Sequence, residues 1–229
     1  MTSHDTSARP RPLRRLREGL QRYGPLGALR VAGSRARALL YLKEAHHWYE
    51  LDLKAERPHR EIPEGFRLVR ATEEELPLLD TLPTVKLREG ERRLGDGASL
   101  WLVMEGDRAA FACWTFYDRM PVHAAKGGVL QLPRGAAGLE DSVTSPDYRG
   151  RGLAPAAWSA ICERLEQNGY SALITKVAEE NAPSRRAVEK AGFEDVALMR
   201  TMRMAARRRV EVEAHGTAVA SHLAEQLTG

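Results

Sequence analysis

The stretch "SPDYRGRGLAPAAW", residues 145–158, sets two glycines and two arginines where an apolar helical run is about to begin. A loop that leaves a strand and opens a helix presents backbone N–H groups without partners, and the helix dipole adds about half a positive charge there. Anions bind at such a place, phosphates above all. Gly150 and Gly152 let the backbone curl against a ligand with no side chain between, and Arg149 and Arg151 supply charge-assisted contacts. Pro155 suits a first helical turn, where its missing N–H costs nothing. The same residues also fit an ordinary glycine turn with solvated arginines. Two phosphate loops are excluded. The pattern G-x-x-x-x-G-K-[ST] does not occur. A dinucleotide fingerprint would need glycine where Pro155 stands, after a plain buried strand, whereas here the strand contains Asp141 and ends at Pro146.

Other chemistries find less support. The seven histidines are scattered with no H-E-x-x-H, and neither Cys113 nor Cys162 belongs to a C-x-x-C, so no metal site is expected. Both cysteines lie in apolar surroundings and read as reduced core residues, which fits a cytoplasmic chain. No G-x-S-x-G occurs. Trp101, Trp114, Phe116 and Tyr117 have apolar neighbours on both faces and read as core, not as a platform for stacking bases. His46 and His47 would point apart on a helix.

The elements that must hold the loop alternate between strand and helix from Glu61 onward. "GFRLVRA" reads as a strand, and Thr72 and Glu75 have capping-box spacing for the helix "TEEELPLLDTL", with Pro77 awkward inside it. "REGERRLGDG" is a polar helix or loop. "SLWLVME" and "AAFACWTFY" form a hairpin across "GDR", the second strand central because both its faces are apolar. "GLEDSVTSP" is a strand, and the helix after the glycine loop carries Ala157, Ile161 and Leu165 on one stripe until Asn168 and Gly169 stop it. "YSALITKV" is a strand, "NAPSRRAVEKAG" a helix and "FEDVALMRTMRM" a strand. A strand, helix and strand around the loop imply a parallel crossover.

Residues 1–45 differ in kind. Ten Arg or Lys against three acids give them a net +7, which leaves −3 for the rest of a chain whose total is +4. Leu13, Leu16, Leu20 and Tyr23 share a helical face ringed by arginines, and a second helical segment is expected from Leu26 to about Leu42. Such helices suit an anionic membrane surface, a nucleic acid, or packing on the domain, a partner or a second copy of the chain. No uncharged apolar run approaches the ~20 residues of a membrane span, and the start lacks the apolar stretch of a signal peptide.

"RGRGLA", Arg149 to Ala154, resembles the R/Q-x-x-G-x-G/A signature of the GCN5-related N-acetyltransferases, with Arg149, Gly152 and Ala154 in the defining places. "NAPSRRAVEKAGF" is a second match at the family's usual distance, through Asn181, Ser184, Gly192 and Phe193. The resemblance spans about Glu61 to Met204. It implies a mixed α/β sheet with an acetyl-CoA N-acyltransferase fold, preceded by a basic helical extension over 1–47 and followed by a tail over 211–229. Acetyl-coenzyme A would lie where two central strands splay apart, with Val143 and Thr144 along the pantetheine. Arg149, Gly150, Arg151, Gly152, Leu153 and Ala154 would surround the diphosphate, and Asn181 and Ser184 would bond along the cofactor arm. Asn181 fits a helix N-cap equally well.

The implied reaction moves an acetyl group to a small-molecule or peptide amine. A lysine-like amine is unprotonated about once in 2,500 molecules at pH 7, a deficit of about 4.6 kcal/mol, so a base is needed. Glu140 and Asp141 lie where the thioester would sit, and an N–H near Thr144 could meet the oxyanion. Many relatives protonate the leaving thiolate with a tyrosine seven residues after the asparagine. Here that residue is Val188, which leaves the task to solvent, Tyr117 or Tyr148, or leaves a binding module without turnover. Pro83 to Gly97 and Tyr117 to Met120 would line the acceptor side, with Glu89, Glu91 and Asp96 as attractors of a cationic amine. The preference for Arg over Lys in an Ala- and Gly-rich chain points to a bacterial protein. Partners considered are a homodimer and a membrane or partner contact through residues 9–42, in preference to nucleic acid.

Overall fold

The computed structural model describes residues 41–204 and 207–228. The chain divides into two compact units, residues 1–43 with 202–209, and residues 44–201 with 210–229. In the first, the described residues are strand ends. The predicted helices before residue 41 lie outside the described residues. No described helix is long and apolar enough to cross a membrane.

Eight of the described strands form a mixed sheet, most of whose residues belong to the second unit. Its strands are β1 (Tyr41–Asp52), β2 (Arg67–Ala71), β3 (Ser99–Glu105), β4 (Arg108–Tyr117), β7 (Ala136–Thr144), β8 (Ala172–Ala178), β9 (Glu194–Met204) and β10 (Arg207–Ala214), in the order β10-β9-β1-β8-β7-β4-β3-β2. A separate hairpin joins β5 (Arg119–Pro121) to β6 (Val129–Gln131). The helices are α1 (Leu87–Gly95), α2 (Leu153–Gln167), α3 (Ala182–Lys190) and α4 (Ala218–Thr228). The pairs β1–β8, β2–β3, β3–β4, β4–β7 and β5–β6 run antiparallel, whereas β7 and β8, the pair joined by α2, are parallel from Ala136↔Ala172 to Leu139↔Thr175. This is the crossover predicted from the strand–helix–strand pattern.

Buried side chains fill both faces of the sheet. On one face, Leu153, Ala157, Ile161 and Leu165 of α2 pack with Trp101, Phe111, Cys113 and Leu139. On the other, Trp48, Leu100, Leu102 and Trp114 pack with Leu76 and Leu79 and with Leu223 and Leu227 of α4. β4 is buried from Ala109 to Phe116, as expected for a strand apolar on both faces and flanked by β3 and β7.

Three local outcomes differ from the sequence reading. First, the segment after Thr72 folds as a 3-10 helix, Leu76–Thr81, with Pro77 at its start. Glu75 Oε2 accepts from the Thr72 N–H at 2.7 Å, half of a capping box, but Pro77 has no N–H to continue an α-helix. Second, residues 41 and 42, predicted to end a helix, open β1, which runs through residue 47, the place assigned to the end of the N-terminal extension. Tyr49, Leu51 and Leu53 alternate into one core and Trp48 into the other, a period-2 pattern that overrides helix propensity. His46 and His47 do point to opposite faces, on a strand. Third, residues 211–229 include the end of β10 and α4, whose Val219, Ala220, Leu223 and Leu227 are buried.

Candidate active site

The parallel ladder ends at Leu139 and Thr175, where Thr175 Oγ1 donates to the Leu139 carbonyl at 2.8 Å. Beyond this point β7 stays paired with β4 to Thr144, and β8 stays paired with β1 to Ala178, so the two strands part. A bulge drives the separation. Trp114 pairs with Glu140 and Ala112 with Val143, which places one extra residue in β7, and Asp141 takes φ 51° there. An aspartate tolerates this left-handed conformation better than most residues. Arg93 from α1 fixes the bulge. Its Nη1 lies 2.6 Å from Asp141 Oδ2 and its Nε 3.0 Å from Glu89 Oε1, while its guanidinium stacks 5.3 Å from Trp114 and 5.4 Å from Phe116.

The gap is a cleft of about 900 Å³. Val143 and Thr144 form its β7 wall, Thr175 to Ala178 its β8 wall, Arg149, Gly150 and Ala154 its mouth, and Asn181, Ser184 and Val188 its α3 side. Seven of the residues expected around the donor thus meet on one surface. Arg151, Gly152 and Leu153 do not line it. Arg151 lies over the Tyr148 ring at 5.1 Å and 3.9 Å from Glu105; Leu153 is buried under α2. Gly152 is the α2 N-cap at φ 75°, a conformation that spares glycine the Cβ clash other residues would meet. Among the described residues, the N–H groups from Gly150 to Ala154 have no partner and Arg149 has no acidic partner. Asn181 is the α3 N-cap, its Oδ1 accepting from the Ser184 N–H at 3.2 Å, while it also faces the cleft.

The carboxylates are less free than the sequence suggests. Asp141 is held by Arg93. Glu140 Oε2 accepts from Lys176 Nζ at 2.5 Å, and the two side chains are 14% and 17% exposed. Burial pushes the Glu140 carboxyl above its ordinary value, and Lys176 opposes this. Its second oxygen, Oε1, has no partner. Nor has His46 Nδ1, nor have Trp48 Nε1 and Trp114 Nε1, whose residues pair with Lys176 and Glu140 across the sheet. His46 lines the cleft, and burial and then Lys176 hold its pKa below the ordinary value. It is a neutral imidazole near pH 7. Sequence reasoning passed over His46 and Lys176; the period-2 run from Tyr49 to Leu53 was the signal that could have placed His46 on a strand.

The proposed acids lie elsewhere. Tyr148 is 4% exposed, donates to Glu105 at 2.7 Å and packs edge-on against Phe66. Tyr117 donates to Ser99 at 3.0 Å, away from the cleft. No tyrosine lines the cleft among the described residues, and Val188 stands in its wall with no hydroxyl. On the expected acceptor side Pro83 reaches the cleft. Of the attractor carboxylates Glu89, Glu91 and Asp96, Glu89 is paired with Arg92 and Arg93 and Asp96 with Arg92.

A mixed sheet opened between two parallel strands, with an anion-type loop at its mouth, defines an acyltransferase fold of the kind the sequence motifs resemble. The chain belongs to the acetyltransferase (GNAT) family, whose pattern it matches over residues 42–193. Its fold is similar to a GCN5-related N-acetyltransferase from Sphaerobacter thermophilus, with TM-score 0.53 and 15% identity over 86% of this chain and 59% of that one. It is also similar to a GNAT-family protein from Novosphingobium aromaticivorans, with TM-score 0.50 and 16% identity over 70% and 65% of the two chains. A tandem GNAT protein from the clavulanic acid biosynthesis pathway matches with TM-score 0.51 and 18% identity over 72% and 55%. At these identities the likeness is one of fold, and this chain spans less than two thirds of each of those chains. Among curated proteins none matches in sequence.

Proposed function

We propose that the protein transfers an acetyl group from acetyl-coenzyme A to a primary amine of a small molecule or peptide. The observation that carries this reading is the parting of β7 and β8 after Leu139, which opens onto the Gly150–Ala154 N–H groups, unpartnered among the described residues. The donor fits these residues: Arg149 and the loop N–H groups suit a diphosphate, and the one-sided β7 segment at Val143 and Thr144 suits the pantetheine amides. Asn181 and Ser184 flank it. When bound, the donor supplies a thioester carbonyl to attack.

The chain's own groups supply the rest. Glu140 takes the proton from the incoming ammonium, and its raised pKa makes it a stronger base than a solvated carboxylate. Lys176 keeps it ionised. Free N–H groups on the open edge of β7 meet the developing oxyanion. Coenzyme A leaves as a thiolate of modest basicity, which water protonates, so the absent tyrosine at Val188 is tolerable. Val188 also favours a second reading, a coenzyme A binding module without turnover.

Calorimetry with acetyl-coenzyme A and a thiol-release assay over a panel of amines separate these readings. Thiol release above background with any amine supports the enzyme, and tight binding with none supports the module. Gly152→Glu sets a carboxylate at the loop and is expected to weaken binding at least tenfold. Equal binding by this variant would refute the diphosphate placement.

A further inference from the structure

Six lysines occur in the chain. Lys43, Lys54, Lys86, Lys126 and Lys190 are exposed; Lys176 alone lines the cleft. It stands one residue past the last parallel pair, and its ion pair with Glu140 bridges β8 to β7 at the point where the strands begin to part. Its ammonium also lies 5.9 Å from the Trp48 ring centroid, so it is held in place from two sides. An acyl donor running along Val143 and Thr144 from the loop carries its acyl end toward this narrow end. There it meets a primary amine already in contact with a carboxylate that can take its proton.

From this juxtaposition we propose that the protein acetylates its own Lys176, an inference that rests on reading the cleft as an acetyl-coenzyme A site. In the first step a proton passes from the Lys176 ammonium to Glu140 Oε2. The Nζ lone pair then forms the N–C bond to the thioester carbonyl carbon and the C–S bond breaks. The second amine proton goes to the departing sulfur, so coenzyme A leaves as the thiol and Glu140 returns its proton to solvent. The amide product carries no charge. Glu140 loses its counter-charge and His46 a cation that helps hold its pKa down, so self-acetylation alters two groups placed to handle an acceptor's proton.

The experiment incubates the full chain with acetyl-coenzyme A labelled in the acetyl carbons, without acceptor, and follows intact mass and a peptide map while calorimetry reads donor binding. Expected is one acetyl group per chain at Lys176, appearing at least tenfold faster than at any of the five exposed lysines. Lys176→Arg, which keeps the charge opposite Glu140, removes the adduct and still binds donor, and Glu140→Gln slows it at least tenfold. Binding with Lys176 unmodified, or label spread over the exposed lysines as in the denatured chain, overturns self-acetylation and leaves the cleft assignment standing. No donor binding overturns both.

Discussion

Glu140 carries two opposing influences, the burial that favours its protonated form and the Lys176 ammonium that favours its ionised one. Only the ionised form accepts a proton, so turnover falls as pH drops through the raised pKa, and the acid limb of kcat/KM is expected above the ordinary carboxylate value of about 4.3. Lys176→Met removes the opposing charge and is expected to move that limb to higher pH; an unmoved limb would show that Glu140 is not the titrating group. Glu140→Gln should lower kcat about 10²-fold or more while leaving donor affinity within a few fold, as measured by calorimetry. The cysteines give a contrasting forecast. Both are buried and free, and burial pushes Cys162 to about 12 and Cys113 higher still. Neither is expected to react with a thiol reagent until the chain unfolds, so labelling rate should follow denaturant. The place of Glu140 on β7 was legible in sequence because the glycine motif fixes the strand before it. Lys176 was not, because a lysine in "LITKV" looks like any strand-end charge until β7 is laid beside it.

At the level of elements, α1 matters through the anchor it gives the β7 bulge. Glu89 holds Arg92 and Arg93, and the Arg92 guanidinium lowers its pKa to about 2. Because the folded value lies below the unfolded one, this contribution is present above about pH 4.3 and is lost as pH falls toward 2. Thermal melts over that window should show wild type losing stability faster with acid than Glu89→Gln; parallel curves would remove Glu89 from the anchor. Most of these elements were legible from periodicity: the β3–β4 hairpin, the α2 stripe and its Asn168–Gly169 stop lie where predicted. The failures have local causes. Pro77 turned a helix into a 3-10 segment, and three-residue strands such as β5 are too short to show a period. The bulge at Asp141 depends on Arg93 reaching from another element, which no local pattern records.

For the molecule as a whole, the face of the sheet bearing Trp48 is closed by α4 as well as by the earlier segments. Leu223 is fully buried there, and Leu223→Ala is expected to cost about 2–5 kcal/mol, read as a lower midpoint in urea with an unchanged slope. A cost under 0.5 kcal/mol would make α4 dispensable to the core. The order of the strands has a further effect in time. β1 is the first described strand in the chain, yet its sheet neighbours are β8 and β9, and 148 residues separate His47 from Asp195, to which its imidazole is bonded. A ribosome therefore releases a ribbon bearing Trp48, Tyr49, Leu51 and Leu53, all buried in the fold, long before either flanking strand exists to cover it. During synthesis that ribbon is a natural target for a chaperone, and the cleft cannot assemble until β8 and α3 have emerged.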